Sequence, residues 1–263
     1  MMTVWRAILL VGTAVGCLRA DGGDGRGSII PVKVTPPFIG MGLFYTGADV
    51  RIEGVVSAGS KVVVVVRGGQ RAEVFNRKVR MGPIWITSGK VAISGVPSLF
   101  LRFTDGMLRD SLAREDIDRY QIDQSAIQRQ MEIHPDHDHE IMVASWLSLK
   151  AHDGTYALVR DGVKMGQPRD GAVPFSVHFA WPRKSPPGLY TVSVYEYRER
   201  AVVGAAEVPL PVERVGFPAW LVVVVKQRSL LYGLIAVLVA AVAGFGIDLL
   251  VALVFGRKAV TAH

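Results

Sequence analysis

An apolar run near the C-terminal end of the chain, residues 229–255, contains a single carboxylate, Asp248. Arg228 precedes the run, and Arg257 and Lys258 follow it. A helix needs about 20 consecutive apolar residues to cross the hydrocarbon core of a bilayer, so the run is long enough to span one. The sequence therefore predicts one C-terminal transmembrane helix.

Small residues recur at every fourth position of this run. They are Ala236, Ala240, Gly244 and Ala252, with Asp248 completing the series. On a helix, residues four apart lie on the same face, and small side chains let a second helix approach closely. We expect this face to pack against another membrane protein or against a second copy of the chain.

Asp248 has two interpretations. An ionisable residue within a span by default indicates a partner or a pathway, because burying a charge in lipid is costly. Counted from Leu230, however, Asp248 falls near the inner edge of the hydrocarbon, where hydration and the basic residues beyond the span can relieve that cost. We favour the second interpretation.

The N-terminal end has the pattern of a secretory signal peptide, residues 1–20. A positive charge is followed by an apolar core, residues 7–18, that is too short to span a bilayer. Residues 21–28 are then predicted to form a flexible mature N-terminus. Cys17 stands where a bacterial lipoprotein would be lipidated, but Ala14 occupies a position where such signals have leucine. We favour removal of this cysteine with the signal, which would leave the mature chain without a thiol.

The two apolar segments together predict the topology. A signal at the start and an anchor at the end place the middle of the chain outside the cytoplasm and leave residues 256–263 as a short cytoplasmic tail. The formal net charge is +7. Much of that excess flanks the two apolar segments, so the exported part is close to neutral, and we expect no nucleic-acid partner.

Residues 29–215 are predicted to form one exported domain, mainly β. Residues 61–66 are β-branched after the first lysine, as in a central strand buried on both faces. Short strands separated by Gly, Pro and Ser turns suggest an immunoglobulin-like β-sandwich. The predicted strands cover residues 29–35, 49–56, 61–66, 71–79, 84–86, 91–103, 173–181, 189–198 and 201–212.

A helical insertion is predicted between the two β runs, at residues 104–153. Apolar residues at three- to five-residue steps among alternating charges indicate a surface helix over residues 105–120. One or two short helical turns are expected at residues 123–131, and a further helix, the third of the insertion, at residues 140–150. Residues 216–228 are predicted to be a juxtamembrane segment that leads into the span, with Trp220 placed like an interfacial aromatic.

Several sequence blocks, taken in order, carry a family resemblance. They are the valine run ending in Arg67-Gly68, Arg77-Lys78 with Gly82-Pro-Ile-Trp85, Gly95-Val-Pro-Ser-Leu-Phe100, and Pro186-Pro-Gly-Leu-Tyr-Thr-Val-Ser-Val-Tyr195. With the single C-terminal span, these blocks resemble the alphaproteobacterial putative transmembrane protein family. The resemblance implies a periplasmic domain on one inner-membrane span, without an established activity, and sulfite-exporter-like permeases as partners. The chain departs from the family pattern in residues 41–47 and in its histidine-rich stretch.

That stretch, residues 134–140, is the one concentrated cluster of ligand-type side chains. His134, His137 and His139 could bind Zn²⁺ or Cu²⁺, which imidazoles suit. Alternatively, Asp136 caps the helix that follows, and the neighbouring acidic residues complement its dipole. We favour the second interpretation and expect no cofactor.

Signatures of the common enzyme classes are missing from the sequence. It contains no Gly-x-Ser-x-Gly elbow, phosphate-binding loop or His-Glu-x-x-His pair. The carboxylates of residues 105–120 alternate with arginines, which is typical of a solvated helix face. The sequence therefore favours a non-enzymatic accessory protein of the inner membrane, and a periplasmic metal-binding protein is the alternative.

Overall fold

The computed structural model describes residues 30–106, 108, 112–135 and 139–256. The predicted signal peptide, the predicted flexible N-terminus and all but the first residue of the predicted tail lie outside these residues. The described part is mainly β, with several sheets and one long apolar C-terminal helix, as predicted.

Thirteen strands and five helices are named here in chain order. The strands are β1 (Val32–Thr35), β2 (Ile39–Met41), β3 (Asp49–Ser57), β4 (Lys61–Gly68), β5 (Glu73–Met81), β6 (Ile84–Ser94), β7 (Phe100–Thr104), β8 (Glu132–His134), β9 (Tyr156–Val159), β10 (Val163–Met165), β11 (Ala172–Ala180), β12 (Gly188–Arg198) and β13 (Ala201–Arg214). The helices are α1 (Arg114–Arg119), α2 (Gln124–Gln130), α3 (His139–His152), α4 (Phe217–Gln227) and α5 (Ser229–Phe255).

Two large sheets form the body of the domain. One has the order β1-β3-β11-β10 and the other β2-β13-β12-β4-β7-β9. Strands β7 and β9 pair parallel. The other pairs with a given register, between β1 and β3, β3 and β11, β10 and β11, β12 and β13, β4 and β12, and β4 and β7, are antiparallel. An immunoglobulin sandwich uses the corresponding arrangement, with its A, B, E and D strands in one sheet and its G, F and C strands in the other. This order supports the immunoglobulin-like architecture, which itself stays a prediction.

Strand β4 lies at the centre of the larger sheet and is buried on both faces. Its five valines, residues 62–66, have no exposed surface. Val64 is paired with Val194 of β12 on one side and with Phe103 of β7 on the other. The prediction of a doubly buried central strand is confirmed, because both sides of this sheet are covered.

Aromatic contacts join the two large sheets on one face of β4. The ring centroids of Phe103 and Phe179 are 4.8 Å apart, and those of Trp181 and Tyr190 are 4.9 Å apart in an edge-to-face arrangement. Such pairs add about 0.5–1.5 kcal/mol each beyond the area they bury. They hold this side of the domain as a packed sandwich.

The opposite face of β4 is covered by the insertion and by a third sheet, β5-β6-β8. The hydrophobic core here contains Val63 and Val65 of β4, Ile93 of β6, Ile127 of α2 and Trp146 of α3. The domain therefore has three layers, with the larger sheet in the middle. The sequence predicted only the two-layer sandwich.

The insertion, residues 104–153, was predicted to be helical, but it also contains a strand. Strand β8 lies within it and pairs with β6, with His134 opposite Ala92. Of the helix predicted over residues 105–120, the structure describes Arg114–Arg119 and a helical residue at Leu108, whose carbonyl accepts the Leu112 amide at 2.9 Å. Residues 107 and 109–111 lie outside the described part. The Ala113 amide donates to the Arg200 carbonyl at 2.8 Å, so the backbone here bonds to the β12–β13 turn instead of continuing a helix.

The described chain divides into two compact units. One comprises residues 30–40 and 45–213, and contains the three sheets and the insertion. The other comprises residues 41–44 and 214–256, and contains α4 and α5. Residues 216–228, predicted only as a juxtamembrane segment, are largely the helix α4.

Candidate membrane anchor and interaction surfaces

Helix α5 is the part of the structure that can cross a bilayer. Residues 232–253 form an apolar stretch with a mean hydropathy of 2.6, none of it buried against the rest of the described chain. Twenty-two helical residues rise about 33 Å, and the hydrocarbon core is about 30 Å thick. A helix this apolar and this exposed requires lipid or a partner helix around it.

The predicted small-residue face is unoccupied by other described residues. Ala236, Ala240, Gly244 and Asp248 are exposed and Ala252 is half-buried. A Cβ atom added at Gly244 would meet nothing within 4 Å. Steps of four residues advance about 40° around a helix, so these residues form a stripe that winds slowly around α5. A partner helix that follows the stripe would cross at an angle, as small-xxx-small pairs do.

Asp248 lies toward the inner end of the span. It follows Tyr232 by sixteen residues, a rise of about 24 Å. If Tyr232 marks the outer boundary of a core about 30 Å thick, the carboxylate is about 6 Å from the inner boundary. This depth agrees with relief by hydration.

Helix α4 carries an exposed aromatic pair just before the span. It begins after Gly216, whose φ is +68°, and ends at Gln227; at Arg228 the backbone leaves helical geometry before α5 begins. The rings of Phe217 and Trp220 stack with centroids 5.6 Å apart. Trp220 was placed at the interface from sequence, but the helix and its aromatic pair were not predicted.

A loop distant in sequence is bonded to the segment that precedes α4. The amide of Val215 donates to the carbonyl of Met41 at 3.0 Å. In this loop Leu43 is 62% exposed and Phe44 is 89% exposed. The sequence singled out residues 41–47 only as a departure from the family pattern. An apolar Gly-Leu-Phe-Tyr run outside any predicted strand was the signal that could have found it.

The structure describes two of the three candidate metal ligands. His134 ends β8 and His139 begins α3, and both are exposed, whereas His137 lies outside the described residues. Among the residues that the structure describes, no group of three or more His, Cys, Asp or Glu side chains could hold a metal ion. The three-histidine site stays a prediction.

The outer half of the β5–β6 hairpin exposes apolar and basic side chains together. Met81, Ile84 and Trp85 at its end are 59–66% exposed. Arg77 and Lys78 lie on the same hairpin, in β5, where a register shift interrupts the pairing. The sequence used this segment as a family block but assigned it no surface role.

Three buried or half-buried charged side chains of the domain form ion pairs or hydrogen bonds with other residues of the same domain. Lys150 Nζ lies 2.6 Å from Glu73 Oε1, and Arg67 donates to the Gln121 carbonyl at 2.7 Å. Burial alone would raise the pKa of Asp123, but the Arg102 guanidinium 2.5 Å away, aided by a serine hydroxyl, brings the pKa of that carboxyl below its ordinary value. These contacts join separate segments of the domain.

A cavity of about 280 Å³ lies beside α1. Both carboxylates in its lining are in ion pairs, Asp118 with Arg129 at 2.6 Å and Asp123 with Arg102. The described residues that line it are Leu108, Leu112, Arg114, Ile117, Asp118, Asp123, Ser125 and Arg200. These ion pairs give the two carboxylates a structural role.

Comparison with known protein families gives a match over most of the chain. A family model described as putative transmembrane protein (Alph_Pro_TM) matches residues 30–252, which include the β domain and almost all of the candidate span. No curated protein and no solved structure matches the chain. The resemblance found from the sequence blocks is confirmed.

Proposed function

Because the chain belongs to the putative transmembrane protein family Alph_Pro_TM, we propose that it is a single-pass accessory subunit of a bacterial inner-membrane complex. Its β domain lies in the periplasm and its short C-terminal tail in the cytoplasm. The protein is an interaction subunit and not an enzyme. Its α5 helix binds a multi-span membrane protein, of which a sulfite-exporter-like permease is one candidate, or a second copy of the chain.

The observation that carries this proposal is the stripe of small residues on an otherwise unpartnered span. Lipid tails are as apolar as leucine, so helices in a bilayer associate through close packing rather than through the hydrophobic effect. Ala240 and Gly244 at the middle of the stripe would let a second backbone approach. Bulky side chains predominate elsewhere on α5, with Leu238, Val242 and Phe245 exposed.

The periplasmic orientation is supported by the two ends of the sequence. The N-terminal segment has the pattern of a secretory signal, and Arg257 and Lys258 beyond the span fit the positive-inside rule. Lys226 and Arg228 on the outer side weaken that charge asymmetry. The signal pattern therefore carries more of the argument than the charges.

The exposed end of the β5–β6 hairpin supports an interaction role for the domain. Trp85 is 66% exposed beside Ile84 and Met81, and basic side chains follow along β5. Exposed tryptophan and arginine are enriched at the energetic centres of protein interfaces. We propose that this end contacts the extracytoplasmic part of the same complex.

The packing claim is tested by crosslinking in cells and affinity purification in mild detergent. Ala240→Leu and Gly244→Leu, singly and together, place bulky side chains on the stripe and should remove the associated protein. Gly246→Leu is the matched control, because Gly246 lies about 200° around the helix from Gly244. An unaltered set of associated proteins in the double variant would refute the packing claim, as would equal loss in the control.

The mass of the crosslinked product separates the two partner classes. A product of two chains indicates self-association, and a product that contains a different polytopic protein indicates a complex. Orientation is tested separately with a membrane-impermeant maleimide. In a Cys17→Ser background, Lys164→Cys in the domain should be labelled in intact spheroplasts, and a cysteine placed in the tail only after permeabilisation. The reverse pattern would refute the periplasmic assignment.

A further inference from the structure

We infer that the loop of residues 41–44 and the aromatic pair of α4 are a second membrane contact, seated in the lipid interface beside the outer end of the span. The occupant of this surface is the headgroup and upper acyl region of the bilayer. The contact goes beyond the proposed partner of α5, because it needs no second protein.

The loop has the exposure of a lipid-binding element. Phe44 is 89% exposed and Leu43 is 62% exposed, next to each other at the end of β2. Folded proteins normally bury such side chains, and adjacent exposed ones mark binding surfaces. In a membrane protein, lipid is the apolar phase that every copy of the chain meets.

The loop is tied to the segment that enters the membrane. The Val215 amide donates a hydrogen bond of 3.0 Å to the Met41 carbonyl at the start of the loop. Val215 lies two residues before Phe217, where α4 begins. Residues 41–44 form one compact unit with α4 and α5. The loop therefore keeps its position beside the start of the span. Because the span is surrounded by lipid, we infer that the surface of the loop contacts lipid as well.

Helix α4 has the chemistry of a helix that lies in the interface. Its eleven residues rise about 16 Å, too short to cross a bilayer. Phe217 and Trp220 stack on one side, and Lys226 lies about 180° around the helix from Phe217. Aromatic residues concentrate at the boundary between lipid and water, and Lys226 in the last turn of α4 can meet anionic headgroups.

Two contacts on one unit have a mechanical consequence. A span alone can slide and tilt to match the local bilayer thickness at small cost. Interfacial aromatic side chains on the loop and on α4 would hold the outer end of α5 at a fixed depth. This fixes the level at which the stripe on α5 meets a partner helix.

The test uses the full chain with Cys17→Ser, purified and placed in nanodiscs of phosphatidylcholine and phosphatidylglycerol. An environment-sensitive fluorophore (NBD) is attached at Phe44→Cys. The same label at Gln167→Cys, an exposed position of the domain, is the water reference, and the label at Leu238→Cys is the mid-span reference. Nitroxide-labelled lipids quench from within the bilayer and iodide quenches from water.

The proposal expects the label at position 44 to emit at shorter wavelength than the label at 167, to be quenched by shallow nitroxide lipid, and to be shielded from iodide. Iodide quenching at 44 equal to that at 167, without lipid quenching, overturns it. Shielding from iodide only in native membranes, and not in nanodiscs, shows a protein occupant and also overturns it. Lipid quenching of the label at position 238 shows that α5 is inserted in the bilayer. A negative result at position 44 with a positive result at position 238 therefore refutes the loop contact without refuting the transmembrane anchor.

Discussion

The contact between α3 and the start of β5 is the most informative single place to perturb the domain. Lys150 is 8% exposed, and its Nζ lies 2.6 Å from Glu73 Oε1 and 5.4 Å from the ring centroid of Trp146. The change to make is Lys150→Met, which keeps an unbranched apolar stem and removes the charge. It isolates the ion pair from the packing of the side chain.

The expected cost follows from what the change leaves behind. Glu73 would remain with its side chain 22% exposed and without its cation, and its Oε2 already has no hydrogen-bond partner among the described residues. Removing one member of a buried pair costs about 3–5 kcal/mol. Because Glu73 keeps some contact with water, we expect a smaller cost than for a fully buried pair, about 2–3 kcal/mol of unfolding free energy.

The double variant Glu73→Leu with Lys150→Met is the decisive control. Replacing both members of a buried pair by apolar side chains of similar size is often neutral. We therefore expect the double variant to lie within about 1 kcal/mol of the original chain. The coupling between the two positions is then the quantity measured.

The assay is urea unfolding of the full chain in mild detergent, with tryptophan fluorescence and near-ultraviolet circular dichroism as the two probes of the transition. Trp146 lies in the same hydrophobic core and contributes to the emission together with the other tryptophans of the chain, so unfolding around this contact changes the signal. If the single and double variants are equally destabilised, the loss comes from packing and the reasoning about the charge is wrong. An unchanged midpoint for the single variant would refute it as well.

Three further predictions concern the backbone, the pH dependence and the hairpin. Gly95→Ala should destabilise the domain more than Gly59→Ala does: both positions have positive φ, +75° and +79°, which costs about 1–3 kcal/mol, but only the Cβ at 95 would lie 2.1 Å from the Gln130 carbonyl oxygen. Equal urea midpoints for the two variants would contradict this. The pKa of Asp123 is lowered in the folded state, so its contribution is present above its ordinary value of 3.8 and is lost as pH falls through the folded value. Stability of the original chain should thus fall more steeply below about pH 4 than that of Asp123→Asn, and parallel curves would exclude this role. Finally, Trp85→Ala should change the unfolding free energy by no more than about 0.5 kcal/mol, because the side chain is exposed, yet weaken co-purification of the partner; unchanged recovery would show that the hairpin makes no such contact.

Local patterns in the sequence predicted the elements whose identity depends on their own residues. The strand 61–66 is β-branched, and the structure buries all of its valines. Residues 189–198 and 201–212 correspond closely to β12 and β13. Such segments could be found because their period and residue types follow from their own environment, whatever their partners are.

Segments that depend on a distant partner were missed or only partly predicted. Strand β8 has three residues and exists because β6 lies beside it, with Ile133 opposite Ile93. Strands β9 and β10 were also not predicted, and each pairs with a longer strand. A segment of three or four residues carries too short a pattern to be distinguished from a loop.

The candidate surfaces divide in the same way. The span and the positions of its small residues could be read from composition and spacing, since a helix in lipid satisfies its own backbone. The exposed loop at Leu43 and Phe44 could not be linked to the span from sequence, because about 170 residues separate the loop from Val215. The pairing of β2 with β13, continued by the hydrogen bond from the Val215 amide to the Met41 carbonyl, shows that they belong together.

The residue patterns alone were enough to predict an apolar C-terminal helix long enough to cross a membrane, a mainly β domain before it, and the family to which both belong. Three features became visible only in the folded chain: the larger sheet is the middle of three layers, Lys150 meets Glu73 from 77 residues away, and residues 41–44 join the segment that leads into the span. The physical reason is the range of the interactions. Hydrophobic periodicity and helix formation act over a few neighbouring residues, whereas sheet pairing, buried ion pairs and loop attachments form only when distant segments are packed together.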